Sequence, residues 1–360
     1  MIKHSENTIS NQNNNIELLI KFQFNENILN FIKKHCNLNT NKTIVTSTTT
    51  IFNIEKINNL ELFNIINIKK INDIRFINKF FESVNRKLPV SGLFFGCVET
   101  YPDRKKAILN KKNLKLINWI IYFFDILFKR VFSKLVFTKR IYFYFTKGKG
   151  RVLSKAETYG RLYSCGFEIV DEKSINKVLY FVFKKVKDPA YDKTPTYGAL
   201  IGLKRLGKGG TIINVYKLRT MHPYSEYLQE YMYNKNKLND GGKIKNDFRI
   251  SPEGRIFRKF WIDEIPMILN LLKMDIKLVG VRPLSQHFFS LYDKDLQELR
   301  FKVKPGFIPP FYVDLPKTMD EIMESERKYL NSYLKNPIKT DIKYLFISLK
   351  NVFIKGARSN

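Results

Sequence analysis

Pro266 constrains this chain more than any other single residue. It follows two adjacent acids, Asp263 and Glu264, and Ile265. Proline has no N–H to donate and its φ is preset near the helical value, so it belongs in the first turn of a helix. A helix is therefore predicted from about Ile265 to Leu272, with both carboxylates at its start. Free N–H groups and the helix dipole favour negative charge there by about 0.3–1 kcal/mol, which helps keep a carboxyl group ionised. An ionised Asp is a usable nucleophile. An acid pair at a helix start also serves as a plain cap, so the spacing alone leaves catalysis and capping both open.

Around the pair the chain supplies Arg249, Arg255, Arg258, Lys259 and Arg282. Guanidinium forks match phosphate oxygens two at a time. Carboxylates among arginines point to phosphate chemistry with a metal.

From Tyr197 to Pro310 several separate pieces follow in order: LKRLGKGG (203–210), VYKLRTM (215–221), DFRISPEGRIFRK (247–259), WIDEIPMILNLLKMD (261–275), LVGVRP (278–283) and KPGF (304–307). In this order they resemble the catalytic domain of the bacterial sugar transferases, the monotopic polyprenyl-phosphate phosphoglycosyl transferases. The resemblance implies that an Asp-Glu dyad moves a sugar 1-phosphate from a UDP-sugar to a polyprenyl phosphate at a membrane surface, releasing UMP and using Mg²⁺. By position Asp263 is the nucleophile that carries the phosphosugar, and Glu264 assists at the metal, to which Asp263 also contributes. Arg258 and Arg282 are expected to hold phosphates, with Lys217, Arg219 and Arg249 in the same pocket. The family's Gly-Pro-Arg-Pro, Asp-Glu-Leu-Pro-Gln and Asp-Pro-Arg read here as Gly280-Val281-Arg282-Pro283, Asp263-Glu264-Ile265-Pro266-Met267 and Asp247-Phe248-Arg249. The charged residues persist in each, so the chemistry is expected to persist while substrate preference stays open.

The expected fold class is α/β: a degenerate Rossmann-like N-terminal domain (16–190) after a disordered tail (1–15), then a mainly helical α+β catalytic domain (191–360) with membrane-associated amphipathic helices. At 360 residues with 44% hydrophobic content the chain is long enough for two cores. The tail MIKHSENTISNQNNN has no apolar core of a signal peptide. A helix is expected over 16–34, then strands in TIVTSTTTIFNI and LELFNIINI, a helix over 74–86 and a buried strand at 93–99. A helix near Lys155–Tyr163 and strands in GRLYSCGFEIVDE and KVLYFVFKKV follow, and this part faintly resembles the C-terminal half of Rossmann-like methyltransferases. No glycine-rich phosphate or cofactor loop accompanies it, so the sheet is read as non-catalytic. Cys36, Cys97 and Cys165 are widely spaced and odd in number, which indicates reduced core thiols rather than disulfides or a metal knuckle.

A net charge of +30 suits an anionic partner, either nucleic acid or a membrane face. No helix-turn-helix, zinc-finger or RNP signature is present, which argues against nucleic acid. The stretch 114–145, LKLINWIIYFFDILFKRVFSKLVFTKRIYFYF, is apolar, yet Asp125, Lys129, Arg130, Lys134, Lys139 and Arg140 interrupt it. No run reaches the roughly 20 apolar residues of a spanning helix. Two arrangements satisfy the pattern: interfacial helices with rings in the acyl boundary, or a buried helix pair with a basic rim. Family members usually carry a long apolar re-entrant helix directly before the catalytic domain, whereas here the strand-like KVLYFVFKKV and a short linker precede it. The enzyme is thus expected at the cytoplasmic face of the inner membrane, monotopic or peripheral.

Within the catalytic domain KRLGKGGTIINVYKLRTM predicts a hairpin. Its GKGG turn is either a plain solvent-exposed bend or a site where Lys208 meets a diphosphate. A helix and a mobile Gly241-Gly242 loop are expected over 222–246, and structural roles for His222 and His287. Helices are predicted in TMDEIMESERKYLNSYLKN and DIKYLFISLKNVFIKGARSN, the latter with Ile342, Leu345, Phe346, Leu349 and Phe353 on one face. Two alternatives to the transferase remain: a non-catalytic membrane-associated scaffold of the same fold, and an enzyme using S-adenosylmethionine or a nucleotide through the N-terminal sheet.

Overall fold

The computed structural model describes residues 25–38, 40–57, 62–112, 114–191, 197–236 and 247–354. The expected tail, the first part of the helix from Ile16 and the Gly241-Gly242 loop lie outside the described residues. The fold is mixed α/β, with many helices and small sheets. The chain divides into two compact units: residues 1–197 with 223–228, and residues 198–222 with 229–360.

The first unit is built on β1 (Thr43–Thr46), β2 (Asn64–Lys70), β3 (Leu93–Val98), β4 (Phe167–Ile175) and β5 (Val178–Lys185). Their spatial order is β1-β2-β3-β5-β4; β1 to β3 run parallel, and β5 lies antiparallel between β3 and β4. Asn176 and Lys177 join β4 to β5 with φ of 49° and 63°. Positive φ at both positions is what a two-residue turn needs to match strand twist.

Side chains alternate across this sheet with period two. On one face Ile66, Phe95 and Val182 receive Ile28, Leu29, Phe31 and Ile32 of the Glu26–Lys33 helix. On the other, Phe94 meets Phe81, Phe167 and Phe181, and Tyr159 meets Phe181 and Phe183. Gly96 makes room for this aromatic layer, since a Cβ there would stand 2.7 Å from the Phe181 ring. Cys97 and Cys165 are buried free thiols, each pushed up to about 12 by burial, as core cysteines should be.

One expectation fails locally. The strand read into TIVTSTTTIFNI ends at Thr46, and Ile51–Glu55 is a helical turn packed on the Ile77–Lys87 helix. A short β-branched run marks surface to be buried, and Ile54 is fully buried, but the run does not choose the backbone that buries it.

The 114–145 stretch forms the helices Lys115–Ile126 and Val136–Thr146, joined through a π-turn at Leu127–Val131. Their aromatic and aliphatic side chains point outward, so the buried-pair alternative is not what forms. Lys134, in the connection, reaches the buried carboxylate of Glu157 at 2.6 Å, which Arg161 also holds at 2.9 Å. Among the described residues no helix is long and apolar enough to cross a membrane.

In the second unit β6 (Leu200–Leu206) and β7 (Ile212–Leu218) form the expected antiparallel hairpin. β8 (Lys277–Val279) and β9 (Gly306–Ile308) pair in parallel. A Cβ on Gly306 would fall 2.1 Å from the Gly280 nitrogen, so the glycines of LVGVRP and KPGF are both needed for this approach. Val279, Val281 and Leu296 pack with Tyr329, Leu330 and Tyr344 of the two C-terminal helices, Met319–Lys335 and Pro337–Phe353. The last helix buries Thr340, Tyr344, Ser348 and Asn351 and exposes Ile338, Ile342, Phe346, Leu349 and Phe353. Leu345 turns partly inward to the core, unlike the rest of the apolar face expected for it.

Candidate active site

Asp263 and Glu264 lie in the second unit on a 3-10 turn, Ile262–Met267, which runs into the α-helix Ile268–Leu272. The helix predicted from Ile265 thus starts earlier and in a tighter form, with Pro266 inside the 3-10 turn. Trp261 precedes it in the left-handed region at φ 53°, a conformation that costs a non-glycine residue roughly 1–2 kcal/mol. The Trp261 indole N–H donates to Tyr312 Oη at 3.0 Å, which helps hold the turn.

The turn packs on β7, and Asn270 fastens the two together. Its Oδ1 accepts from the Tyr216 N–H at 2.9 Å and its Nδ2 donates to the Asn214 carbonyl at 2.7 Å. The only available hint in sequence was a polar residue inside the apolar run ILNLL. Asn270→Ala strands two backbone groups; stability is expected to fall by about 1–3 kcal/mol in chemical denaturation.

This arrangement sets Lys217 of β7 beside the acids, its Nζ 2.6 Å from Glu264 Oε1. Arg258 comes from the Pro252–Lys259 helix, which Ser251 caps by accepting from the Gly254 N–H at 3.0 Å. Arg258 Nε donates to Thr220 Oγ1 at 2.9 Å. That helix lies on the KLRT segment because residue 254 is glycine: a Cβ there would meet the Thr220 carbonyl oxygen at 2.0 Å. Gly254→Ala therefore forces a backbone shift. A loss of about 1–3 kcal/mol in stability is expected, read by chemical denaturation.

Electrostatics show which groups converge. Arg258 is lowered chiefly by burial; Asp263 and Asp247 raise it, and Arg249 and Arg282 lower it further. Asp263 is raised above its ordinary value, first by burial; Lys217 pulls it down, Glu264 pushes it up and Arg258 pulls it down. The helix start was expected to hold this carboxyl ionised, but desolvation outweighs that support. Arg282 is exposed, and its carbonyl accepts from Arg300 Nη2 at 2.5 Å, while Arg300 itself pairs with buried Glu326.

Two expected phosphate ligands are placed differently. The Arg249 fork is engaged by Asp247, through Nε at 2.9 Å and Nη2 at 2.7 Å, and its Nη1 donates to Gln229 at 2.6 Å. Both partners of the Asp247–Arg249 pair are buried, so the pair braces the fold. Lys208 sits exposed at the tip of the β6–β7 hairpin. Lys217 pairs with Ile201 near the other end, five residues of strand from Ile212 at the tip, roughly 17 Å at about 3.4 Å per residue. Arg219 Nε donates to the Gly198 carbonyl at 2.7 Å. His222 is buried and its N–H donates to the Arg249 carbonyl at 2.8 Å, whereas His287 is exposed.

The arrangement presents a half-buried carboxyl group flanked by Lys217 and Arg258, with Arg282 acting in turn on Arg258, which suits an attack on an anionic phosphorus centre. Residues 193–355 match the bacterial sugar transferase family. This segment belongs to that family. The chain is 31% identical over 160 residues to the galactosyl transferase CpsE of Streptococcus agalactiae, covering 43% of this chain and 35% of that protein. It is 34% identical over 161 residues to the undecaprenyl-phosphate galactose phosphotransferase of Salmonella typhimurium, covering 43% and 33% respectively. It is also 36% identical over 102 residues to the uncharacterized sugar transferase EpsL of Bacillus subtilis, covering 28% and 44%. The matched part of this chain thus spans about a third of the length of the first two relatives. The sugar transferase segment contains every residue of the site described above, from Lys217 to Arg282.

Proposed function

We propose that the chain is a phosphoglycosyl transferase that moves a sugar 1-phosphate from a UDP-sugar to a polyprenyl phosphate, starting a surface polysaccharide or other glycan. The observation that carries this reading is the convergence of Asp263 with Lys217, Glu264 and Arg258, and of Arg258 with Arg282.

Asp263 Oδ attacks the phosphorus that bears the sugar. The bond from that phosphorus to the bridging oxygen breaks, and UMP leaves with the oxygen and its electron pair. An oxygen of the polyprenyl phosphate then attacks the same phosphorus, forming a diphosphate and freeing the Asp263 carboxylate. No general base is needed, because both nucleophiles are already anionic when ionised. Arg258 and Arg282 are suited to hold the non-bridging oxygens, and Lys217 orients Glu264.

Among the described residues no group of three or more His, Cys, Asp or Glu is arranged to hold a metal ion. Mg²⁺ is typically bound by one or two carboxylates together with substrate phosphate oxygens. The adjacent, partly exposed Asp263 and Glu264 fit that requirement. When bound there, the ion neutralises diphosphate charge.

We read the first unit as a degenerate Rossmann-like domain, supported by three parallel strands with helical packing on both faces. A membrane-surface setting is supported in the second unit by the outward apolar face of the Pro337–Phe353 helix. The test is UMP release by purified full-length protein with Mg²⁺ from a panel of UDP-sugars, with and without polyprenyl phosphate. Lipid-dependent release of UMP from one UDP-sugar supports the reading. Silence across the panel from folded protein sinks it in favour of a non-catalytic scaffold.

A further inference from the structure

The helical hairpin of the first unit, residues 115–146, is built inside out. Its inward groups are polar: Asn118 is 1% exposed and donates to the carbonyls of Leu109 and Lys111 at 3.3 and 3.0 Å. Asp125 accepts two hydrogen bonds from Arg104, at 2.5 and 2.7 Å. Ser133 is buried, Lys134 is tied to Glu157, and Tyr142 is the one large ring turned fully inward. The outward groups are large and apolar: Leu116 is 73% exposed, Phe137 is 91% exposed, and Trp119, Phe123, Phe124 and Phe145 are exposed beside them. A helix that folds only against its own domain would point these faces the other way.

The surrounding charge selects what covers this face. Residues 101–150 carry thirteen Lys and Arg against two Asp. Asp125 is engaged by Arg104 and by Lys129 at 3.3 Å, and Asp103 accepts from Thr100 at 2.5 Å. Lys105 stands over the Trp119 ring at 4.6 Å, putting an ammonium at the edge of the apolar patch. Protein interfaces deplete lysine, and two copies would bring one strongly positive surface against another. A bilayer with anionic headgroups accepts both features, rings in the acyl boundary and cations at the phosphates. Depth is limited by length: the first helix has 12 residues, about 18 Å, against a hydrocarbon core of roughly 30 Å.

We infer that this hairpin is an interfacial anchor that docks the first unit onto an anionic lipid bilayer, with Trp119, Phe123, Phe124 and Phe137 inserted and the lysines at the headgroups. The segment lies outside residues 193–355, so it is an attachment separate from the sugar transferase segment. The inference rests on the exposed face and its charge, and its test needs no turnover.

The chain has two tryptophans, Trp119 and Trp261. In full-length Trp261→Phe protein, Trp119 emission is expected to shift to the blue on adding phosphatidylglycerol vesicles. Bromine placed on the shallow acyl positions is expected to quench it. Phe123→Glu/Phe124→Glu should lower vesicle partitioning at least roughly tenfold, while an unchanged thermal transition shows that these exposed positions leave the fold intact. Lys111→Gln/Lys112→Gln should weaken binding to anionic vesicles roughly fivefold per charge and leave binding to phosphatidylcholine unaltered. Unquenched Trp119, or full partitioning of the Phe123/Phe124 variant, overturns the inference. So does a dimer in solution that the Phe123/Phe124 variant abolishes, which would make the face a contact between copies. None of these results bears on UMP release from Asp263 chemistry, so the two proposals fail separately.

Discussion

Asp263→Asn abolishes turnover in the expected result, with UMP release falling on the order of 10⁴- to 10⁶-fold, the scale seen when a covalent nucleophile is removed. The amide keeps the size and shape of the carboxyl group and removes the charge that attacks in the proposed mechanism. Asp263 is partly exposed and forms no ion pair among the described residues, so the variant should unfold like the native chain. Intact-mass measurement gives a second readout: UDP-sugar without lipid should leave a sugar phosphate on the native protein and nothing on the Asn variant. A residual rate within tenfold of native would remove Asp263 from the nucleophile's role. A pH profile adds a sign. In the proposed mechanism only ionised Asp263 attacks, and burial raises its pKa. The acidic limb of the UMP-forming step is therefore expected above the ordinary Asp value of about 3.9, with activity rising as pH rises through it. Because Lys217 pulls that pKa down, Lys217→Met should move the limb to still higher pH.

Glu157→Gln is expected to cost the first unit about 3–5 kcal/mol, the range for breaking a buried charge cluster by removing one partner. Glu157 is 1% exposed and lies between Lys134 and Arg161, both largely withdrawn from water. Burial alone would raise its pKa, but Lys134 and Arg161 outweigh that and hold it well below the usual carboxylate range. The depressed value gives the direction of the pH dependence. The contribution is fully present above the unfolded Glu pKa of about 4.3 and is lost as pH falls toward the folded value. Native protein should thus lose stability on acidification below about pH 4.3 by a component that the Gln variant lacks. Denaturation followed by Trp119 emission in the Trp261→Phe background isolates the first unit. A variant within 1 kcal/mol of native at neutral pH would show that the cluster contributes little. Since Lys134 sits in the connection of the 115–146 hairpin, the same variant should also loosen that hairpin, seen as faster amide exchange there.

The grouping of the candidate site was legible where charge alone marks a residue. Asp263, Glu264, Arg258 and Arg282 stand out as charges grouped around Pro266, and they lie in one neighbourhood of the second unit. Arg249 did not follow, because a list of charges does not say which cation a buried carboxylate will take, and Asp247 takes this one. Lys208 did not follow either; a glycine turn announces a hairpin tip but not which end of the hairpin meets the acids. Gly254, Thr220 and Asn270 escaped notice altogether. Their importance lies in a 2.0 Å approach and in single hydrogen bonds between segments distant in sequence, neither of which leaves a local pattern.

By itself the sequence determined the order of the motifs, the α/β alternation of the first unit and the absence of any uninterrupted apolar run long enough to span a bilayer. These depend on local rules: proline in a first turn, period two in strands, and run length against bilayer thickness. Only the tertiary structure decided which way the apolar side of residues 115–146 faces. Periodicity defines a face but not what lies opposite it. That was settled by Asn118, Asp125 and Lys134, whose polar groups find partners only on the inside and so turn the aromatic side outward.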